Sequence, residues 1–196
     1  MYPSAKAVID VAISLLPKHI PYVMGGESLS KMDCQGFVEY CVREAGGESD
    51  FAGSNDMWRN DVVWTGTIAA AKAQGRLISG AAVFVVKHDN GEPEQYRGDG
   101  IGNANHVGLY CARPEAECMS ASAVTGFLGA TTLSQGWTHV AWLKSINYAS
   151  RRATEQPNDT AAAADLPDID YPKAIAAARA FIEAVGAVGK GVSQNG

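Results

Sequence analysis

KMDCQGFVEY, residues 31–40, places a cysteine between an acid and a Gln-Gly pair at the point where an apolar helical pattern begins. Phe37, Val38, Cys41, Val42 and Ala45 share one face of that pattern and Gly46-Gly47 stops it, which predicts a helix over about 34–45. Asp33 stands where a cap accepts backbone N–H bonds. The start of a helix leaves its first N–H groups unpaired and carries partial positive charge. A thiol there is expected to have a stabilised thiolate, a lowered pKa and raised nucleophilicity. Gly36 is expected to let a substrate backbone pass close to the sulfur. On the residues alone, Cys34 reads as a buried plug, a metal ligand or a nucleophile. Cys41, two turns on beside Val38 and Val42, reads as packing.

Upstream, Ser4 reads as an N-cap, and Val8, Ile9, Ala12, Leu15 and Leu16 form a helical stripe, predicting a helix over 4–18. HIPYVMGGESLSKMD, residues 19–33, is expected to be a loop. Asp10 interrupts the N-terminal apolar run and no small-residue cleavage site follows it, so this is not read as a secretion signal. The chain as given is expected to be made in the cytoplasm. No segment reaches the ~20 apolar residues of a membrane span, so no membrane partner is expected.

Downstream, TIAAAKAQG (67–75) reads as a short helix closed by glycine, and AAVFVVKH (81–88) as a buried strand. Residues 89–105 are polar and rich in glycine, and predict a long loop. HVGLYC (106–111) and ECMSASAV (117–124) are expected to be two strands joined by a turn around Pro114, with THVAWLKSI (138–146) as the last strand. Beyond residue 149 the composition changes. Residues 150–169 read as a polar Ala/Pro-rich linker, and 170–196 as an amphipathic helix and tail with Pro172 in its first turn. Helices first and consecutive strands after them predict an α+β fold whose sheet is antiparallel, with a single folded unit over 1–149.

The whole-chain properties narrow the function. In 196 residues the hydrophobic fraction is 46% and the charged fraction 19%, values of a globular protein with a sizeable core. A net charge of -5 without a basic run argues against nucleic acid, whose phosphates need a basic face. The 4 cysteines, Cys34, Cys41, Cys111 and Cys118, lie outside any CxxC pair, and no nearby His-x-x-x-His accompanies them, so no metal is expected. Trp58, Trp64, Trp137 and Trp142 read as core residues, with Trp58 and Trp64 also candidates for a cleft wall.

His106 opens a strand. A cysteine on a helix start and a histidine on a neighbouring strand are the two parts of a thiol–imidazole dyad, in which the ring takes the thiol proton. Without such a neighbour, His106 reads as a hydrogen-bonded histidine at a strand end.

Taken in order, PYVMGG (21–26), MDCQGFVEYCVREAG (32–46), AAVFVV (81–86), NHVGLY (105–110), CMSAS (118–122) and GWTHVAWL (136–143) resemble the NlpC/P60 family of papain-like cysteine peptidases. The resemblance spans about residues 15–146. It implies a papain-like α+β fold with N-terminal helices packed on an antiparallel sheet, and hydrolysis of an amide bond in the stem peptides of bacterial peptidoglycan, commonly γ-D-glutamyl to a diamino acid, without a cofactor. It implies Cys34 as nucleophile, His106 as general base, the Cys34 backbone N–H as part of an oxyanion hole, and Tyr22, Asp33 and Gln35 as substrate-side residues.

Three departures stand out. Gln35 replaces a usual serine, and Ala81 or Ala82 replaces an acid before the central strand. Ser120 occupies the place of the third catalytic residue, usually His, Asn or Gln. With a hairpin loop over about Cys111–Glu115, Ser120 is expected directly across from His106, either orienting the ring or serving as an ordinary polar strand residue. His139 matches nothing catalytic in the family. Alternative readings are a related papain-like amidase or acyltransferase, or a wall-binding module that keeps the fold without turnover. Release by a phage lysis system, carriage on a virion or export would each bring the chain to the wall. The segment after 149 is then expected to meet a wall-binding or virion partner, or to pack on the domain.

Overall fold

A computed structural model of the chain describes residues 2–149. The linker and terminal helix expected over 150–196 lie outside these residues.

The first helix, α1 (Ala5–Leu15), starts as expected at Ser4, whose Oγ accepts from the Ala7 N–H at 3.2 Å. It buries Val8, Ile9, Ala12 and Leu15, then tightens into a single 3₁₀ turn at Leu16–Lys18. A two-stranded ribbon, β1 (Glu27–Ser28) with β2 (Lys31–Met32), interrupts the expected loop and leads into α2 (Cys34–Glu44). Phe37, Val38, Cys41 and Val42 are the buried apolar stripe of α2.

Two elements were not legible in sequence: α3 (Ser54–Asn60) and the strand β3 (Val62–Thr67). Then come the expected short helix, α4 (Ile68–Ala73), and the strand β4 (Ala82–Lys87). The long loop follows. β5 (Asn103–Arg113) begins three residues before His106, and β6 (Ala116–Ser122) ends before Val124. A further strand, β7 (Phe127–Thr131), lies where the sequence assigns no element; β8 (His139–Leu143) is the last strand of the sheet.

The sheet has six strands in the order β3-β8-β4-β5-β6-β7, and every paired neighbour is antiparallel. Strands β4, β5 and β6 are consecutive neighbours as expected, and β7 extends the meander. The last strand breaks that order, because β8 returns to lie between β3 and β4. The fold is α+β. Phe84, Val107, Leu109, Met119, Ala121 and Leu128 face α1 and α2 in the main core, while Val83, Cys118, Trp137 and Val140 meet Ala71 of α4 in a smaller core. These two sets alternate along the strands and occupy opposite sheet faces.

One irregularity positions the site. Val85 pairs with His106, but Val86 pairs with Ala104, so β5 carries one extra residue at Asn105–His106. Ala104 and Val107 both face the main core, and the bulge turns the residues between them away from it.

Candidate active site

Asp33 caps α2 and ties down the chain before it. Its Oδ1 accepts from the Gly36 N–H at 2.8 Å and its Oδ2 from the Gly25 N–H at 2.7 Å. The Asp33 N–H in turn donates to the Gly26 carbonyl at 2.8 Å. A Cβ on Gly36 would lie 2.1 Å from the Gly26 oxygen and 3.0 Å from the Glu27 Cα. The space left by Gly36 is therefore filled by the protein's own backbone, which corrects the expectation that a substrate backbone passes there. Tyr22 is held beside the site by its bridge to Met32 and by its N–H, which donates to the Gly126 carbonyl at 2.8 Å. Its ring is half-buried, and its hydroxyl is pushed up by burial first and then by the neighbouring Cys34 and Asp33.

Cys34 is the first residue of α2 and is half-buried against the main core. The backbone N–H groups of Val107, Gln35 and Cys34 itself lie near enough to the sulfur to favour its thiolate. Val107 is the residue after His106, so the sulfur meets β5 one residue from the imidazole. Burial pushes the thiol above its ordinary value of 9.0, the Asp33 carboxylate adds to the rise, and the three N–H groups only hold it back. The expectation that the helix start draws this pKa down is thus overturned: burial of the charged form outweighs the N–H donors.

His106 is half-buried, and that burial lowers its imidazole below 6.5. Its Nε2 lies 3.3 Å from the Ser120 Oγ. Leu109 pairs with Met119 and Tyr110 with Cys118, a register that puts Gly108, not His106, opposite Ser120. The expected direct pairing is corrected to a diagonal one on the same face. The bulge still brings the ring to the hydroxyl. With Nε2 engaged by Ser120, Nδ1 is the other ring nitrogen. The other face of the ring stacks on Trp137, with centroids 5.1 Å apart and planes at 11°.

Trp137 is the residue that sequence reasoning missed. Its trace is Gly108: a Cβ there would lie 2.9 Å from the Trp137 ring and 2.5 Å from the Met119 carbonyl. A glycine inside a strand marks such a close approach. By contrast, Trp58 is buried on Phe84 at 4.8 Å, and Trp64 packs with Trp142 at 6.0 Å beneath Arg76.

Gln35 is buried and its side chain bonds the Glu39 carboxylate. Glu39, itself buried, also accepts from the Phe51 N–H at 2.5 Å and pairs with Arg43 at 3.4 Å. The structure thus gives Gln35 a partner inside the helix, on the inner side of the first turn. His139 lies elsewhere, edge-on to Trp58 at 5.7 Å with its Nδ1 held by Thr138 at 2.9 Å. Cys41, Cys111 and Cys118 are buried, and burial raises each thiol, Cys111 to about 12. Among the described residues no cluster of His, Cys, Asp and Glu could hold a metal ion.

No family model and no curated protein matches the chain. Solved structures do. An NlpC/P60 family protein from Bacillus cereus superposes with a TM-score of 0.51 at 19% identity, over 71% of this chain and 40% of that one. The NlpC/p60 domain of the peptidoglycan hydrolase SagA gives 0.52 at 15%, over 71% of this chain and 98% of the domain. NlpC2 from Trichomonas vaginalis gives 0.51 at 12%, over 72% and 47%. At these identities the likeness is one of fold, and the fold is NlpC/P60-like.

Proposed function

We propose that this chain, built on an NlpC/P60-like fold, is a cysteine peptidase that hydrolyses an amide bond in the stem peptide of bacterial peptidoglycan. The observation that carries this reading is the Cys34 sulfur at the start of α2, close to the N–H of Val107, the residue that follows His106, with the His106 ring 3.3 Å from Ser120.

The two raised and lowered pKa values define how the pair works. Burial keeps the thiol protonated and the imidazole neutral at pH 7. His106 therefore takes the thiol proton as the sulfur attacks the carbonyl carbon, instead of drawing on a thiolate formed beforehand. The tetrahedral oxyanion is met by the Cys34 N–H at the helix start. The protonated imidazole gives its proton to the leaving amine, and the C–N bond breaks to leave a thioester on Cys34. Water, deprotonated by His106, then releases the acid and restores the thiol. Tyr22 and Asp33 lie close to the sulfur, and Gln35 bonds Glu39 inside the helix.

A second reading, a wall-binding module without turnover, draws support from Ser120 in the third position and from the raised thiol. An acyltransferase shares the thioester and differs only in the acceptor. Digestion of purified sacculi followed by mass spectrometry of the released peptides separates the three. Peptides ending in a free carboxyl are expected, with Cys34→Ala releasing none while still binding sacculi. Unchanged sacculi with the wild-type protein support the binding module. Products carrying an added amine support the transferase.

A further inference from the structure

The bulge that carries His106 is gripped from outside the sheet. β6 pairs with β5 from Leu109 to Arg113, and Ala104 lies beyond that stretch. There the backbone of Ala104 turns to the first two residues of α3. Its N–H donates to the Asn55 Oδ1 at 3.0 Å, and the Ser54 Oγ donates to its carbonyl at 2.7 Å. The Asn55 amide is held in one orientation. Its Oδ1 also accepts from the Arg59 Nη1 at 3.0 Å, and its Nδ2 donates to the Asn103 Oδ1 at 3.0 Å. Asn103 is buried, and its own Nδ2 donates to Asp89 at 3.2 Å. Arg59 is fixed in turn by Asp99 at 2.7 Å and by the Gly102 carbonyl at 3.0 Å. Donors therefore meet acceptors all the way from Ala104 to Asp89.

We infer that Asn55, assisted by Ser54, is a positioning residue for His106 and acts through the backbone of Ala104. The extra residue at Asn105–His106 lies between two anchors, Val107 in the main core and Ala104 on α3. A bulge re-aims the side chains it carries, so the anchor at Ala104 sets the direction in which the imidazole leaves the strand. Without it the residues up to Val107 gain freedom, and the ring shifts relative to the Ser120 hydroxyl, 3.3 Å from its Nε2. A displacement of about 1 Å at a reacting group costs on the order of a hundredfold in rate. The kinetic consequence rests on the peptidase reading, in which His106 moves the proton.

Turnover of a soluble γ-D-glutamyl–diamino acid peptide reads this directly. Asn55→Ala is expected to lower kcat about tenfold or more with KM nearly unchanged. Asn55→Asp keeps the oxygen that accepts from Ala104, beside the Arg59 cation, and gives up only the donor to Asn103. It is expected to recover most of kcat. A lowered thermal midpoint with kcat intact, or an Asp variant no faster than the Ala variant, overturns the inference. If Asn55→Ala does not fold, Ser54→Ala removes only the bond to the Ala104 carbonyl, and kcat is expected to fall about fivefold. An unchanged kcat there overturns it equally. If the wild-type protein cleaves nothing, the peptidase reading fails, and NMR of the His106 ring in a Cys34→Ala background still tests the positioning. The ring signals, assigned by their loss in His106→Gln, are expected to move with Asn55→Ala and to return with Asn55→Asp. Signals that stay in place overturn the assignment.

Discussion

Cys34 and His106 place opposite demands on pH, and their surroundings resolve them. Burial lowers His106 below 6.5 and raises Cys34 above 9.0. For a pair that reacts as neutral thiol and neutral imidazole, kcat/KM is expected to rise once with pH, with a midpoint below 6.5, and then to stay level past pH 9. A bell whose acid limb lies at the thiol would instead indicate a thiolate–imidazolium pair formed beforehand, and would contradict the neutral one. In the proposed mechanism Ser120 acts through His106, whose Nε2 lies 3.3 Å from the Ser120 hydroxyl. Ser120→Ala is expected to lower kcat about fivefold, the ~1 kcal/mol of one neutral hydrogen bond, with KM and thermal midpoint nearly unchanged. A loss of stability with kcat intact would make Ser120 an ordinary strand residue.

At the scale of elements, the start of α2 and the turn at Gly25-Gly26 form one interlocked unit. Asp33 joins them through two carboxylate bonds, and Gly36 lets them touch. In an unconstrained helix Gly36→Ala would stabilise by about 1 kcal/mol. Here the new methyl would sit 2.1 Å from a backbone oxygen, which cannot rotate away. The substitution is expected to cost about 2 kcal/mol or more in urea unfolding, and to lower turnover by displacing Tyr22 and the first turn of α2. A variant as stable as wild type would contradict the close approach. The helix itself was legible, because its apolar face, its acid cap and its Gly-Gly stop are all local features of 33–47. The meaning of Gly36 was not, because the atoms that crowd it come from a turn ten residues upstream. β7 was hidden for a similar reason: Phe127–Thr131 is short, contains Gly129, and becomes a strand by pairing with β6.

Over the whole molecule, burying a neutral histidine links stability to pH. His106 has a folded pKa below its unfolded value of 6.5, so between those two values the unfolded chain binds more protons. Its contribution to stability is therefore complete above 6.5 and is lost as pH falls through that range. Glu39 and Asp61, raised by burial from 4.5 and 3.8, act in the opposite sense at lower pH, so the comparison is best made against a chain that lacks only the imidazole. Relative to His106→Gln, the thermal midpoint of the wild-type protein is expected to fall between pH 7.5 and 5.5. A constant difference would mean that the ring is solvated in the folded state.

The sequence by itself determined the α+β order, the capped helix opening at Cys34 and the strand bearing His106, because caps, stops and apolar periodicity are written within one or two turns of chain. Only the tertiary structure decided the bulge at Asn105–His106, the diagonal step to Ser120, the Trp137 ring against the imidazole and the direction in which the thiol shifts. Each of those depends on the register between strands distant in sequence, or on how much water the finished core leaves around a charge, and neither quantity exists until the chain has closed on itself.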